Sequence, residues 1–372
     1  MKLVVNFKLL PSPFQHRALL QTLELANTAC DFASGVAWKH EVFGQFKLHK
    51  LVYREIREKF SLTAQLVVRV IAKVADGYKL DRGTQRSFKP HGSIAYDDRI
   101  LRYLPEDRVS IWTLKGRQTI PYACGPKQRE LLAYRAGETD LVYRDNTFYL
   151  NTVVDAEEPP LLETEDVLGV DLGIVNILAD SDGETYSGGQ VNGLRKRHAK
   201  LRDRLQKNGG RAAKRLLRKR RRKEQRFAAW VNHNISKQVV LKAERTNRAI
   251  ALEDLQGIRQ RVRVRKSQRR QHHSWAFNQL RQFIQYKARL SGVPVVLVAP
   301  RNTSRTCPAC GCVDKANRPS QSLFSCVRCL FAGNADTIAA ENIRVLGRAA
   351  VNRPDLAASI PLGLELAKSR LP

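Results

Sequence analysis

The chain has 372 residues, 43% of them hydrophobic and 27% charged, which excludes wholesale disorder and leaves room for roughly two to three domains. No run approaches the roughly 18 apolar residues of a membrane span, and residues 1–10 lack a signal-peptide layout, so a membrane or secreted protein is not expected. Charge is the outlier: 65 Lys and Arg oppose 35 Asp and Glu, a net +30, which points to a polyanionic partner, most often nucleic acid.

Residues 1–10 alternate apolar and polar, as a strand does. Phe7-Lys8-Leu9-Leu10-Pro11-Ser12 and Gln15 lead into a helix through Leu19, Leu20 and Leu23. Strand alternation returns over residues 102–154, as in Val109-Ser110-Ile111-Trp112 and Phe148-Tyr149-Leu150. Residues 1–166 hold 24 basic and 21 acidic residues and are nearly neutral. They end in an acidic run, Asp155-Ala156-Glu157-Glu158-Pro159-Pro160 and on to Asp166, that reads as a boundary. Paired prolines neither continue a helix nor donate to a sheet. Residues 167–372 hold 41 basic and 14 acidic residues, so the polyanion footprint lies there.

Val167-Leu168-Gly169-Val170-Asp171-Leu172-Gly173 is an apolar strand with an acid inside it. A mid-strand Asp is costly to bury unless paired or bound to a cation, although a turn Asp satisfied by backbone amides is the ordinary alternative. A second strand over 174–179 and the turn Ser181-Asp182-Gly183 follow. Residues 195–226 carry 17 Lys and Arg against Asp203 and Glu224. Leu194, Leu201, Leu205, Ala212, Leu216 and Leu217 recur at helical spacing around the break Gly209-Gly210. Two basic helices with a hinge are expected, the second running through Phe227, Trp230, Ile235 and Val239 toward Lys242.

A charge run is commonly a solvated face, but here the interspersed acids are missing, and phosphates neutralise such repulsion. The candidate contacts are Arg195, Arg197, Lys200, Arg204, Arg211, Lys214, Arg215, Arg218, Lys219 and Arg222. A second acid-free run over 259–270 adds Arg259, Arg261, Arg263, Arg265, Arg269 and Arg270, expected as a loop that orders on nucleic acid. Phe227, Trp230 and Trp275 read first as core residues, with base stacking as the second reading. His272 and His273 read equally as solvated or functional.

Arg248-Ala249-Ile250-Ala251-Leu252 is another strand, running into Glu253-Asp254, and residues 293–299 form a third. Cys307-Pro308-Ala309-Cys310 and Cys326-Val327-Arg328-Cys329 are two CxxC knuckles at a separation that sets four thiolates around one structural Zn²⁺. Gly311 follows the first knuckle, Cys312 is a spare thiol, and Cys30 and Cys124 read as buried small apolar residues. Asn334-Ala335-Asp336 opens a helix over 337–346, where Asp336 taken alone reads as an N-cap.

Taken in order, an acid on a first strand, a Glu ending a later strand and an Asp opening a final helix resemble the ribonuclease H-like arrangement. Three converging carboxylates repel one another unless divalent cations lie between them, and two such ions serve phosphodiester hydrolysis. Gly169-Val170-Asp171-Leu172-Gly173, Ala251-Leu252-Glu253-Asp254-Leu255, the segment from Thr303-Ser304 to Cys307-Pro308-Ala309-Cys310-Gly311, and Asn334-Ala335-Asp336 with Ala339-Ala340-Glu341-Asn342-Ile343 resemble TnpB. TnpB proteins are the insertion-sequence-encoded, RNA-guided nucleases related to type V CRISPR effectors. The match is close over 167–347 and looser before it.

The resemblance implies a multidomain α/β protein. A wedge β-barrel would span residues 1–18 and 84–160, with a helical recognition lobe, 19–83, inserted. A ribonuclease H-like (RuvC) nuclease domain would span 161–303 and 331–347, with its basic helices over 194–245. A zinc ribbon, 304–330, and a flexible tail, 348–372, complete the chain. Asp171, Glu253 and Asp336 would be catalytic and hold Mg²⁺ or Mn²⁺, while Cys307, Cys310, Cys326 and Cys329 hold Zn²⁺. The partners would be a guide RNA from the transposon end and double-stranded DNA, with the protein a monomer or homodimer on the RNA, in a prokaryotic cytoplasm at the nucleoid. Two features depart from the family: the recognition region is short, and the tail carries no motif. The competing readings are a guided repressor that does not cut, a transposase proper, and a generic zinc-ribbon nucleic-acid binder; the last leaves the acids unexplained.

Overall fold

Alternation in the first residues produces β1 (Lys2–Leu9), which buries Val5, Phe7 and Leu9. A computed structural model of the protein describes residues 1–220, 222–255 and 277–351. The chain is multidomain α/β and divides into two units at Glu157/Glu158, inside the acidic run.

In the first unit the chain leaves β1 into three helices, α1 (Pro13–Lys39), α2 (Gln45–Phe60) and α3 (Ala64–Leu80). Ser12 caps α1: its hydroxyl accepts from Gln15 N while its own amide donates to Gln15 Oε1, with Pro13 in the first turn. The chain then returns to the sheet through β2 (Ile94–Tyr96), β3 (Leu101–Leu104), β4 (Arg108–Thr113), β5 (Gly116–Ala123), the short α4 (Pro126–Leu132), β6 (Arg135–Arg144) and β7 (Thr147–Asp155). These strands form one antiparallel sheet in the order β2-β6-β7-β1-β5-β4-β3. Strand β1 thus sits inside the sheet, paired with β7 from Lys2↔Asp155 to Lys8↔Tyr149. Buried Asn27 ties α1 to the returning loop by donating to the carbonyls of Pro90 and Gly92.

In the second unit the sheet order is β10-β9-β8-β11-β12. The strands are β8 (Val167–Asp171), β9 (Asn176–Asp180), β10 (Thr185–Ser187), β11 (Ala249–Glu253) and β12 (Val295–Val298). Strand β9 is antiparallel to β8, whereas β11 runs parallel to β8 and to β12. The basic segment forms α5 (Gly189–Asn208) and α6 (Arg211–Arg220), and α7 (Lys223–Arg245) follows. Downstream lie α8 (Phe277–Leu290) and α9 (Ala335–Val351). One sheet face buries Leu168, Val170, Ile250 and Leu252 against Val239, Val240, Ala243, Leu280 and Ile284 of α7 and α8. The other buries Val167, Ala249 and Ala251 against Ile343 of α9. Burial on both faces is why β8 and β11 are continuous apolar runs.

Helix α9 lies against bare backbone. A Cβ on Gly169 would meet Ala340 O at 2.0 Å, and one on Gly347 would meet Ala251 Cβ at 2.5 Å. Between α8 and α9 the chain forms a small hairpin, β13 (Leu323–Ser325) with β14 (Ala332–Asn334).

The expected continuous second basic helix is broken: α6 ends at Arg220 and α7 begins at Lys223, with Arg222 at φ +66°. Six consecutive cations from Arg218 to Lys223 make the i,i+4 pairs like-charged there, which disfavours helix. Cys30 is fully buried as expected, but Cys124 is half-buried with its thiol on Asp107 Oδ1 at 3.6 Å. Among the described residues no helix is long and apolar enough to cross a membrane.

Candidate carboxylate and thiolate centres

Side chains alternate along a strand, so the face that takes Val167 and Gly169 also takes Asp171. The same count on β11 puts Ala249, Ala251 and Glu253 on that face. Leu252 pairs with Val170 in parallel register, so Glu253 and Asp171 stand side by side at the carboxyl ends of their strands. Helix α9 covers this face and delivers Asp336 in its first turn. Asp336 is not the cap: Asn334 Oδ1 accepts from Asp336 N at 3.0 Å and Thr337 N at 3.2 Å, leaving the Asp336 carboxylate for other partners.

Glu253 and Asp336 are buried, and Asp171 is half-buried. Burial first, then the charges of Glu253 and Asp336, push the Asp171 carboxyl up to about 7, with Arg318 opposing. Burial also raises Glu253, opposed by the Thr303 hydroxyl, which donates to Glu253 Oε1 at 2.5 Å. Asp336 Oδ2 accepts from Asn176 Nδ2 at 2.9 Å, and Oδ1 accepts from Arg318 Nη2 at 2.9 Å. Arg318 thus bears on Asp336 and Asp171, while Glu253 has the Thr303 hydroxyl. This hard-oxygen donor set with surplus negative charge suits Mg²⁺ or Mn²⁺.

Thr303, Asn176 and Arg318 carried no role in the sequence reading. Thr303 lies in a quoted motif, which was a usable signal; Arg318 has none, because its partner is 18 residues away across the hairpin. Nearby, Lys242 meets Asp180, Asp182 and Glu184 at 2.5, 3.0 and 3.2 Å, and Arg248 forks onto Asp182 at 2.8 and 2.7 Å. Arg248 holds the Asp182 carboxyl well below the usual range. This network clamps the β9–β10 turn to the end of α7 and the start of β11.

The four expected zinc ligands come together. Cys307, Cys310, Cys326 and Cys329 offer sulfurs that all lie within 4.8 Å of one another. Two of the separations, Cys307–Cys329 and Cys310–Cys326, are 3.6 Å. A tetrahedron with Zn–S of about 2.3 Å needs S···S of about 3.8 Å, so the cluster fits a structural zinc ribbon. Amides of Cys329 and Arg328 point at the Cys326 sulfur, at 3.5 and 3.4 Å, and hold its thiol down to about 6. Gly311 after the first knuckle takes φ +69°. Buried Asn317 staples the knuckles, donating to Arg305 O and Cys312 O and accepting from Val327 N. Asn342 of α9 donates to Thr303 O and Thr306 O, fastening the turn that leads into the first knuckle to the helix that carries Asp336.

Of the basic candidates, Arg197, Lys200, Arg204, Arg211, Lys214, Arg215, Arg218, Lys219 and Arg222 are exposed. Arg195 turns inward and meets Glu224 at 3.5 Å. Arg259, Arg261, Arg263, Arg265, Arg269 and Arg270 lie outside the described residues, as do His272, His273 and Trp275. Trp230 departs from the core reading: it is 61% exposed, with its ring stacked on half-buried Phe227 at 6.0 Å.

The family model described as Cas12f1-like, TNB domain matches residues 277–343, from α8 through the cysteine centre into α9. A cryo-EM structure of a Cas12f1–sgRNA–target DNA complex has a similar fold: TM-score 0.57, 15% identity, covering 90% of this chain and 83% of that one. The CRISPR-associated endodeoxyribonuclease Cas12f1 of Sulfoacidibacillus thermotolerans is 30% identical over 232 residues, 57% of this chain and 54% of that protein. The match thus spans about half of that relative. The TnpB-like protein MJ0751 of Methanocaldococcus jannaschii is 32% identical over 191 residues, 48% of this chain and 68% of that protein. The chain belongs to the TnpB family.

Proposed function

We propose that this protein is an RNA-guided DNA endonuclease. It binds a guide RNA, recognises a short motif beside the DNA target, and cleaves that DNA at one ribonuclease H-like (RuvC) site. The observation that carries the reading is the gathering of three acids from remote segments at one end of a mixed sheet: Glu253 stands beside Asp171 in parallel register, and the charges of Glu253 and Asp336 both bear on Asp171.

These three acids would hold Mg²⁺ or Mn²⁺. Such ions polarise the scissile phosphate and lower the pKa of the attacking water. Thr303 fixes the rotamer of Glu253, and Asn176 fixes that of Asp336. Arg318 supplies the positive charge that the acids lack without metal. The thiolate centre has no open position and is structural. The exposed cations of α5 and α6 would follow the phosphates of the guide–target duplex, whose pairing reads the sequence.

In this reading residues 1–18 and 84–160 are the wedge and 19–83 the recognition lobe, together gripping the RNA and reading the flanking motif. Residues 161–303 and 331–347 are the nuclease domain, 304–330 the ribbon and 348–372 a tail, of which residues 348–351 still belong to α9 and the rest lie outside the described residues.

The test is to purify the chain with its native locus, sequence the co-purifying RNA, and challenge that complex with a randomised-flank DNA library and Mg²⁺. Cut products with one enriched flank are expected, and Asp171→Ala should stop cutting while RNA and DNA still bind. RNA-dependent binding of an uncut library by the unmutated protein would favour the repressor reading instead.

A further inference from the structure

A surface cavity of about 380 Å³ opens in the first unit, lined by Asp98, Arg102, Tyr103, Leu132 and Arg135. Its volume falls at the lower end of small-molecule sites, roughly 300–1,000 Å³. Nothing in the nuclease reading uses it.

Tyr103 forms its fixed floor. The ring is hemmed by Phe7 and Tyr122, each at 5.6 Å, and its hydroxyl is bonded to Thr152 Oγ1 at 2.5 Å. The Arg135 guanidinium lies over this ring, 5.6 Å from the centroid, and pairs with Asp98. An irregularity in β6 aims it there. The register against β7 shifts between Arg135 and Thr139, and Gly137 takes φ +83°. Bulges re-aim side chains in this way beside binding sites. The Asp98 side chain is 77% exposed, so its carboxylate remains open to a ligand. Arg102 is exposed on β3, with its Nε donating to Asp98 O at 3.3 Å.

A flat guanidinium backed by an aromatic ring is a stacking surface for a nucleobase. A carboxylate beside it accepts two parallel N–H bonds. Among the four RNA bases only guanine offers two adjacent donors, N1–H and the N2 amine, on its pairing edge. A further guanidinium at the rim suits a phosphate.

We propose that this cavity holds an unpaired guanine nucleotide of the guide RNA, stacked on Arg135, read by Asp98 and tethered through its phosphate by Arg102. The proposal rests on the reading that the protein binds RNA, and deepens it by naming the base.

The test uses the full-length protein stripped of nucleic acid and short oligouridines carrying one central guanine, adenine or inosine, with affinity read by fluorescence anisotropy. The guanine oligomer should bind about 5–10-fold tighter than the adenine one, with inosine, which lacks the N2 amine, between them. Asp98→Ala, a change at an exposed side chain, should bring the guanine and adenine oligomers together. Equal affinity in the unmutated protein, or a guanine preference that survives Asp98→Ala, overturns the proposal. A 6-thioguanosine in the same oligomer should photo-crosslink to the cavity residues; crosslinks confined to the second unit also overturn it. Guided cleavage without guanine preference removes this inference alone, whereas guanine preference without cleavage removes the nuclease reading and leaves the cavity assignment standing.

Discussion

The thiolate centre and the carboxylate centre are both clusters of acidic groups in the second unit, and they are built in opposite ways. The four cysteines lie within 23 residues of one another, and short backbone turns gather them. The three carboxylates span residues 171 to 336 and meet only because a parallel strand pair and a helix bring them to one end of a sheet. A local site survives if its own loop folds; a topological site is only as good as the packing beneath it. The two are also connected. Asn342 and Thr303 link the turn before the first knuckle to α9 and to Glu253, and Arg318 reaches from the ribbon to Asp336.

That contrast yields a ranked set of substitutions. The largest effect is expected at the local site. Cys326→Ser should lower bound zinc from about one equivalent toward none and melt the ribbon, since metal binding is folding free energy there. Elemental analysis and thermal unfolding check it, and unchanged zinc with an unchanged Tm would break the assignment. Because the ribbon carries Arg318 and adjoins Thr303, cleavage should fall with it.

Next comes the packing under the topological site. Gly169→Ala places a methyl on the Ala340 carbonyl and pushes α9 outward. A loss of about 2–3 kcal/mol, the scale of overpacking, is expected with zinc content unchanged. Denaturant unfolding and elemental analysis separate the two centres, and zinc loss in this variant would mean they fold as one.

Third is the repulsion among the acids. The Asp171 carboxyl is raised to about 7 in the folded state. The native protein therefore holds that proton more tightly than the unfolded chain, whose Asp titrates at about 3.9. Stability without metal should fall as pH rises from about 4 to about 7 and then level off. Asp171→Asn should flatten that fall, raising stability at pH 8 by on the order of 2 kcal/mol while ending cleavage. Mn²⁺ should stabilise the unmutated protein more at pH 8 than at pH 5. A pH-independent Tm would contradict the coupling.

A smaller effect is expected from Thr303→Val, which removes the donor to Glu253 and costs about 1 kcal/mol. Without that donor the Glu253 carboxyl rises further, so the acidic limb of cleavage should move to higher pH, and Thr303→Ser should restore it. The smallest effect on stability is expected from neutralising Arg215, Arg218, Lys219 and Arg222 to Gln. Folding should be untouched, but the slope of log affinity against log salt should flatten, by about 0.7–0.9 for each phosphate left unneutralised. An unchanged slope would place the phosphate-binding cations elsewhere.

How much of this was legible beforehand follows the same division. Spacing exposed the cysteines, period-two alternation exposed β1 and most strands of the first unit, and continuous apolar runs exposed β8 and β11, because all three signals are local. The meeting of the acids was legible only through their order along the chain. Arg318, Asn176 and Asn317 were not legible at all, whereas Asn342 and Thr303 stood in quoted motifs without a role. Each acts through a hydrogen bond to a residue or carbonyl brought close by the fold, as with Asn176 and Asp336, 160 positions apart. The break at Arg222 was a missed electrostatic signal, since the six-cation run was in plain view. Trp230 misled because an apolar residue at helical spacing usually faces a core, and this one faces outward.

The most direct measurement is anomalous diffraction at the manganese edge from crystals of the protein grown with Mn²⁺. Manganese bonded to carboxylate oxygens of Asp171, Glu253 and Asp336 is expected, with Arg318 displaced from Asp336 or sharing it. Well-ordered crystals in which these three side chains bind no manganese and stand apart would contradict it.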